Sequence, residues 1–340
     1  MICGLALLAS GQIFAAANTC LSIASTGWNT AATWDSTNHV CGTAGVPTST
    51  DDVTIAHTVT VDINAAANRL TVNSGATLNF AVNATPFTLT VGAKGIGNAG
   101  TFDATNAGTI TSAATTAGWQ GLYNQPGATF TMGAGTLTIS SVGALTVENR
   151  GTLNGGSGLI SVGSFRNGLT SGGNNGILTV GTGGLSVTLT GASFYPEKGT
   201  ITLNGNLTLA GDITTGTTTY SGAGKMILTD AAHTITGAVN VHNLETATFT
   251  GWRTITINGA VTATGTTKLN GISGSLIVFT GTSTPTFTAF NSYYCSAAGG
   301  VTGITCNASA PPPPSVPISA SINLISNEKP VIFAEEIEMK

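Results

Sequence analysis

The residues able to do acid–base chemistry are sparse in this chain and stand far apart. Only 7% of the 340 residues are Asp, Glu, Lys or Arg, and the formal net charge is −4. A hydrolase needs paired carboxylates, and a lyase needs carboxylates for calcium beside a base. Between positions 62 and 245 the acidic residues occur singly, as Asp62, Asp103, Glu148, Glu197, Asp212, Asp230 and Glu245. An enzymatic site therefore requires acidic residues from different turns of the fold to converge.

Glu148 and Arg150 form a close pair of opposite charges in the middle of the chain. They are two residues apart on a predicted strand, which puts both side chains on the same side of it. The simplest interpretation is an exposed ion pair that contributes little to stability. His39 lies close to Cys41 and His233 close to Asp230, but one neighbour does not make a metal site. No C-x-x-C pair occurs, so we expect neither a metal nor a cofactor.

Two aromatic residues between glycines mark the best candidate for a binding surface. The segment Gly118–Asn124 breaks the surrounding strand pattern, which predicts a loop or bulge projecting from the fold. Its exposed side chains would be Trp119, Tyr123 and Asn124, and their ligand a glycan or another surface. The alternative is that Trp119 only packs over a corner of the fold.

Threonine pairs raise a different possibility, an ice-binding surface, because flat threonine ladders on a β-solenoid can order water. Pairs of the form Thr-x-Thr recur, for example at Thr58/Thr60 and Thr129/Thr131. A ladder needs a constant interval between turns, and the intervals between these pairs are irregular. We therefore expect no ladder and attribute the pairs to the β-propensity of threonine. No run of Lys or Arg occurs, so nucleic acid is not an expected partner.

Glycine spacing indicates the fold that must position these residues. Gly127, Gly135, Gly143 and Gly151 are eight residues apart, and leucine or another apolar residue recurs at fixed offsets after them. The alternation of apolar residues and threonine has a period of two, which is typical of half-buried strands. The predicted inward positions are Leu137, Ile139, Leu145 and Val147.

Three such units, about 24 residues, make one turn of a parallel β-helix with glycine at its corners. The sequence therefore predicts an all-β protein, a single-stranded parallel β-helix (β-solenoid) of roughly ten coils over residues 53–307. At about 4.8 Å per coil, the rod would be near 50 Å long.

The two ends of the chain have their own character. Residues 1–17 are apolar and end in Ala15–Ala17, which predicts a secretory signal peptide and a secreted or cell-surface protein. A transmembrane span is the alternative, but the run is short and rich in small residues. Residues 308–340 form a proline-rich linker and tail, with four consecutive prolines at Pro311–Pro314. Such a spacer suggests attachment to a further domain.

Four cysteines remain after the signal peptide is removed: Cys20, Cys41, Cys295 and Cys306. They allow three pairings. We expect local disulfides, Cys20 with Cys41 and Cys295 with Cys306, because a solenoid holds its two ends far apart.

Residues 18–52 are interpreted as an N-terminal cap. The segment Trp28–Trp34 reads W-N-T-A-A-T-W, and Asp51–Ile55 reads D-D-V-T-I. This order resembles the opening of G8-type domains in bacterial surface proteins. Trp28 and Trp34 would close the exposed first coil; the alternative is that they stack on carbohydrate.

The order of segments along the chain resembles the N-terminal region of MshQ-type proteins, which are associated with MSHA-type pili. The resemblance implies a pilus or cell-envelope partner. With the scarcity of charge, it favours a non-catalytic extracellular or cell-surface structural and adhesive module. The first alternative is a polysaccharide-active enzyme, a lyase or glycoside hydrolase, and the second is an ice-binding solenoid.

We expect the mature protein to begin at Asn18, because cleavage after Ala15–Ala17 suits signal peptidase. N-terminal sequencing of the protein recovered from the medium or the cell envelope checks this. Recovery of intact Met1 from the cytoplasm would contradict it.

Overall fold

A computed structural model describes residues 19–297, apart from positions 36, 40, 43, 116–119, 142–144, 249–250, 270–275, 284 and 293–294. The described residues form 31 strands and one turn of 3-10 helix at Ala31–Thr33. The named strands pair only in parallel, in one sheet of 23 strands and one of eight. The protein is a β-solenoid of about nine turns, as predicted.

The first strands of the chain are β1 (Thr19–Leu21), β2 (Asp52–Ile55), β3 (Thr58–Val61), β4 (Ala65–Val72), β5 (Thr77–Phe80), β6 (Leu89–Asn98), β7 (Thr101–Ala104), β8 (Thr109–Ala114), β9 (Leu122–Asn124), β10 (Thr129–Met132) and β11 (Thr136–Ser141). The next are β12 (Val147–Asn149), β13 (Thr152–Asn154), β14 (Ile160–Val162), β15 (Phe165–Asn167), β16 (Gly176–Val180), β17 (Leu185–Val187), β18 (Ala192–Pro196), β19 (Lys198–Leu203), β20 (Leu207–Leu209) and β21 (Asp212–Thr214).

The remaining strands are β22 (Thr217–Ser221), β23 (Lys225–Leu228), β24 (His233–Thr236), β25 (Val239–Val241), β26 (Asn243–Thr246), β27 (Trp252–Asn258), β28 (Val261–Leu269), β29 (Leu276–Gly281), β30 (Thr286–Ser292) and β31 (Cys295–Ala297). In the middle of the solenoid each turn contributes three consecutive strands, as in β9, β10 and β11. Each of these pairs with the strand three places further along the chain. The strands therefore stack into three separate columns, and each column has its own set of outward side chains.

The core follows from the period-two alternation of the strands. Buried apolar residues from successive turns make one continuous cluster along the stack. The predicted inward residues Leu137, Ile139 and Val147 are all at most 2% exposed. Aromatic rings stack from turn to turn, and those of Phe102 and Phe130 have centroids 4.4 Å apart. Close-packed contact of this kind along the axis joins the turns into one body.

Leu145 departs from the predicted alternation and is only half-buried. Its neighbour Thr146 is fully buried instead. The backbone N–H of Thr146 donates to Ser164 Oγ at 2.8 Å, and the N–H of Ser164 donates to Thr146 Oγ1 at 3.1 Å. Residues 145 and 146 precede strand β12, so the period-two pattern does not yet apply to them.

A ladder of buried asparagines links four consecutive turns. Asn98, Asn124, Asn149 and Asn167 end strands β6, β9, β12 and β15, and all four are fully buried. The Nδ2 group of each of the first three donates to Oδ1 of the next at 2.8 Å. The ladder ends at Pro196, which lies opposite Asn167 and has no amide side chain. Since a buried amide without partners is costly, these contacts favour in-register stacking.

The N-terminal cap covers the first turn. Strand β1 pairs in parallel with β2, and Cys20 forms the predicted disulfide with Cys41. The rings of Trp28 and Trp34 are buried, with centroids 5.2 Å apart. Burial of both rings leaves no face for stacking on carbohydrate, which agrees with the structural role predicted for them. The predicted signal peptide, Cys306 and the proline-rich tail lie outside the described residues, so the signal peptide and the second disulfide stay predictions.

Replacing Asn124 by leucine should destabilise the protein by about 2–3 kcal/mol, because the amides of Asn98 and Asn149 each lose a buried partner. Urea unfolding followed by circular dichroism measures the change. Asn154→Leu is the matched control, since Asn154 is half-exposed on the outer side of β13. Equal losses in the two variants would contradict a special role for the ladder.

Candidate functional site

One outer column of the solenoid gathers charged and aromatic residues. The outward positions of β6, β9, β12, β15 and β18 stack in register as Gly97, Tyr123, Glu148, Arg166 and Tyr195. We call this surface the charged face and define it by these five residues together with Asp52, Arg69, Lys94, Gln120, Arg150 and Glu197. Its four cations are four of the ten basic residues in the chain.

Glu148 is the centre of this face, and its side chain is 3% exposed. Its Oε1 accepts a hydrogen bond from Arg150 Nε at 2.7 Å, and its Oε2 accepts one from Gln120 Nε2 at 3.0 Å. The expected exposed ion pair is therefore wrong in one respect: the carboxylate is buried. Outward residues of the neighbouring turns, Tyr123 and Arg166, lie on either side of it in register.

Arg166 connects two acidic residues that are far apart in the sequence. Its Nε lies 2.9 Å from Glu197 Oε1, and its Nη1 lies 3.9 Å from Glu148 Oε1. The guanidinium of Arg166 also lies 5.6 Å from the centroid of the Tyr195 ring, a cation–π distance. Arg150 stands in the same relation to Tyr123, at 5.3 Å. Each aromatic ring thus contacts a cation that a carboxylate orients: Glu148 binds Arg150, and Glu197 binds Arg166.

This arrangement is suited to holding groups rather than to transferring protons. Both oxygens of Glu148 accept hydrogen bonds from neighbouring side chains, so neither is poised to take a proton from a substrate. Arginine keeps its proton at any ordinary pH. Over the part of the chain that the structure describes, no group of three or more His, Cys, Asp or Glu is placed to hold a metal ion.

A small recess opens beside Tyr123 because residue 97 is glycine. A Cβ atom built at Gly97 would meet nothing within 4 Å. The recess has a volume of about 90 Å³. Its lining includes two cations, two amides and one aromatic ring: Arg69, Lys94, Gln120, Gln125 and Tyr123.

The lining of the recess carries two positively charged side chains, Arg69 and Lys94, and no carboxylate. Lys94 Nζ reaches out to Asp52 Oδ2 at 2.7 Å, and Asp52 lies beyond the recess. A planar ring, two amides and two cations around one opening can stack on, hydrogen-bond to and pair with an anionic ligand.

Of the three predicted binding residues, the two that the structure describes, Tyr123 and Asn124, are not on a projecting loop as expected. Trp119 lies outside the described residues. Tyr123 lies on the outer side of strand β9, within the stack, instead of on a projecting loop. Asn124 is fully buried in the asparagine ladder and is not available to a ligand, because its side chain alternates to the inner side of the same strand.

Sequence reasoning missed Gly97, Arg166 and Tyr195 as members of one site. Their positions in the sequence give no signal, because the turns between them differ in length. Only the pairing of strands shows that they are neighbours.

Comparison with protein-family models, curated proteins and solved structures finds no match for this chain. The resemblance to G8-type domains and to MshQ-type proteins therefore stays a prediction. Among the residues that the structure describes, no helix has the length and apolar character needed to cross a bilayer.

Replacing Arg150 by methionine should destabilise the protein by about 3 kcal/mol, because it removes the main counter-charge of a buried carboxylate. Lys225→Met is the matched control: Lys225 pairs with Glu245 at 2.7 Å, and their side chains are 49% and 20% exposed. We expect that change to cost less than about 1 kcal/mol. Similar losses in the two variants, measured by urea unfolding, would contradict the special burial of Glu148.

Proposed function

We propose that this protein is a non-catalytic, extracellular or cell-surface adhesive module that binds an acidic polysaccharide on its charged face. The observation that carries the proposal is the recess at Gly97, where the Tyr123 ring borders an opening lined by Arg69 and Lys94. The Cys20–Cys41 disulfide supports an exported protein, since such bonds persist in oxidising compartments. A pilus or cell-envelope partner is part of the same proposal and rests on the MshQ-like order of segments.

The chemistry of the recess favours a sugar that carries a carboxylate. The apolar face of a pyranose ring stacks on an aromatic ring such as that of Tyr123. A sugar carboxylate lying in the recess would meet the guanidinium of Arg69 and the ammonium of Lys94. The amides of Gln120 and Gln125 supply donors and acceptors for hydroxyl groups.

Rigidity of the face supports binding over catalysis. Arg150 fixes the Tyr123 ring, and Glu148 fixes Arg150, so these side chains have little freedom left to lose when a ligand binds. A second ring, that of Tyr195, lies three registered positions further along the same column. At about 4.8 Å per turn, the two tyrosines are separated by about 14 Å, a span suited to an extended chain of several sugars.

Gly97→Leu should weaken binding to polyuronates at least tenfold, about 1.4 kcal/mol, because the new side chain fills the recess. Tyr123→Ala should weaken binding similarly by removing the stacking surface. Isothermal titration with polygalacturonate and alginate oligomers measures both. A Cβ atom at Gly97 meets nothing within 4 Å and the rest of the side chain points into the recess, so Gly97→Leu should shift the unfolding midpoint little.

Thr138→Leu is the control, since Thr138 is exposed on a different column, on strand β11. It should bind like the unchanged protein. Unchanged affinity in Gly97→Leu would remove the recess from the proposal. Release of unsaturated or reducing sugar ends from the polysaccharide by the purified protein would overturn the non-catalytic assignment in favour of the enzyme.

A further inference from the structure

A second outer face carries a two-dimensional array of hydroxyl groups. The eight-stranded sheet consists of β3, β5, β7, β10, β13, β16, β19 and β22. Its first outward column is Thr58, Thr77, Thr101, Thr129, Thr152, Ile177, Thr200 and Thr219. Its second column is Thr60, Asn79, Asp103, Thr131, Asn154, Thr179, Thr202 and Ser221. We call these sixteen residues the threonine face.

The expectation that no threonine ladder exists is therefore wrong. Along the first column the interval between successive members varies from 19 to 28 residues. The strands nevertheless pair residue for residue, and none of the seven pairings in this sheet contains a register shift. Length differences between turns are absorbed in the connections, so an irregular sequence interval coexists with a regular array in space.

The array is periodic in two directions. Neighbouring strands are about 4.8 Å apart, and outward residues two apart on one strand are separated by about 6.6 Å. Eight strands extend it to about 34 Å along the rod. A ligand that uses the whole face must itself repeat on that scale in two directions, which a single soluble sugar chain does not.

The side chains on the threonine face restrict the class of possible ligands further. Threonine occupies seven of the eight positions in the first column. Its β-branch restricts the side chain to few rotamers, so hydroxyl and methyl groups are held at fixed positions. Asp103 carries the only charge among the sixteen residues, and none of them is aromatic.

We propose that the threonine face binds the surface of ice crystals. Hydroxyl groups fixed at regular spacings can hold waters in a lattice-like layer, with methyl groups between them, and that layer can merge with ice. A crystalline polysaccharide is the competing ligand. It is less favoured because proteins that grip sugar rings do so with aromatic side chains, which this face does not present.

This proposal is independent of acidic-glycan binding, since the two functions use different columns of strands. The column of strands that contains β11 and β14, which belongs neither to the charged face nor to the threonine face and is called the third column here, supplies a matched comparison. Strands β11 and β14 belong to the same turns as β10 and β13, and Thr138 and Ser161 lie opposite one another on their outer side. One pair of substitutions can therefore be placed on each face at the same height along the rod.

The experiment compares the mature protein with two double variants by ice-affinity partitioning and by inhibition of ice recrystallisation. Thr131→Lys with Thr152→Lys interrupts the centre of the threonine face. Thr138→Lys with Ser161→Lys makes the same change on the third column. All four positions are outward, so thermal unfolding should shift little and confirms that each variant folds.

We expect the unchanged protein to concentrate in growing ice and the threonine-face variant to lose at least tenfold of that enrichment, while the third-column variant retains it. Exclusion of the unchanged protein from ice would overturn the proposal. Equal enrichment of the two variants would also overturn it, because ice contact would then not run through the threonine face. Binding to crystalline cellulose or chitin without ice enrichment would assign the array to a polysaccharide instead.

Discussion

In-register stacking of the turns is the constraint on which the rest of the structure depends. Four buried asparagines satisfy one another's amides only when strands β6, β9, β12 and β15 are aligned residue for residue. A slip of one residue would turn inward side chains outward and leave buried amides without partners. The apolar core adds to this constraint, since rings such as those of Phe102 and Phe130 stack only in the same alignment.

Two surfaces with different chemistry follow from that one alignment. On the charged face, register places Tyr123, Glu148 and Arg166 in one column, although the chain between them makes two full turns. On the threonine face, the same register aligns hydroxyl groups over eight strands. The solenoid therefore functions as a frame on which each column can be given its own composition without changing the core.

The scarcity of charge gives the few charged residues particular weight. A buried carboxylate is costly unless it is paired, and Glu148 is paired with Arg150 and hydrogen-bonded to Gln120. That pairing fixes the guanidinium that contacts the Tyr123 ring. Acidic residues do converge in space through Arg166, yet they meet cations instead of an open cavity, which supports the proposal of binding on this face.

The sequence by itself determined the architecture, because the period-two alternation and the glycine spacing are local properties, and strands with a buried apolar side follow from them. The disulfide between Cys20 and Cys41 follows in turn from the distance between the two ends of a solenoid. It also indicated Tyr123, but not that Asn124 is buried, since neither the start of the strand nor its neighbours can be read from the segment alone. The partners of each outward residue were decided only by tertiary structure. Turns vary in length, so neither the column from Gly97 to Tyr195 nor the threonine array has a fixed interval in the sequence, and both arise from hydrogen bonding between turns.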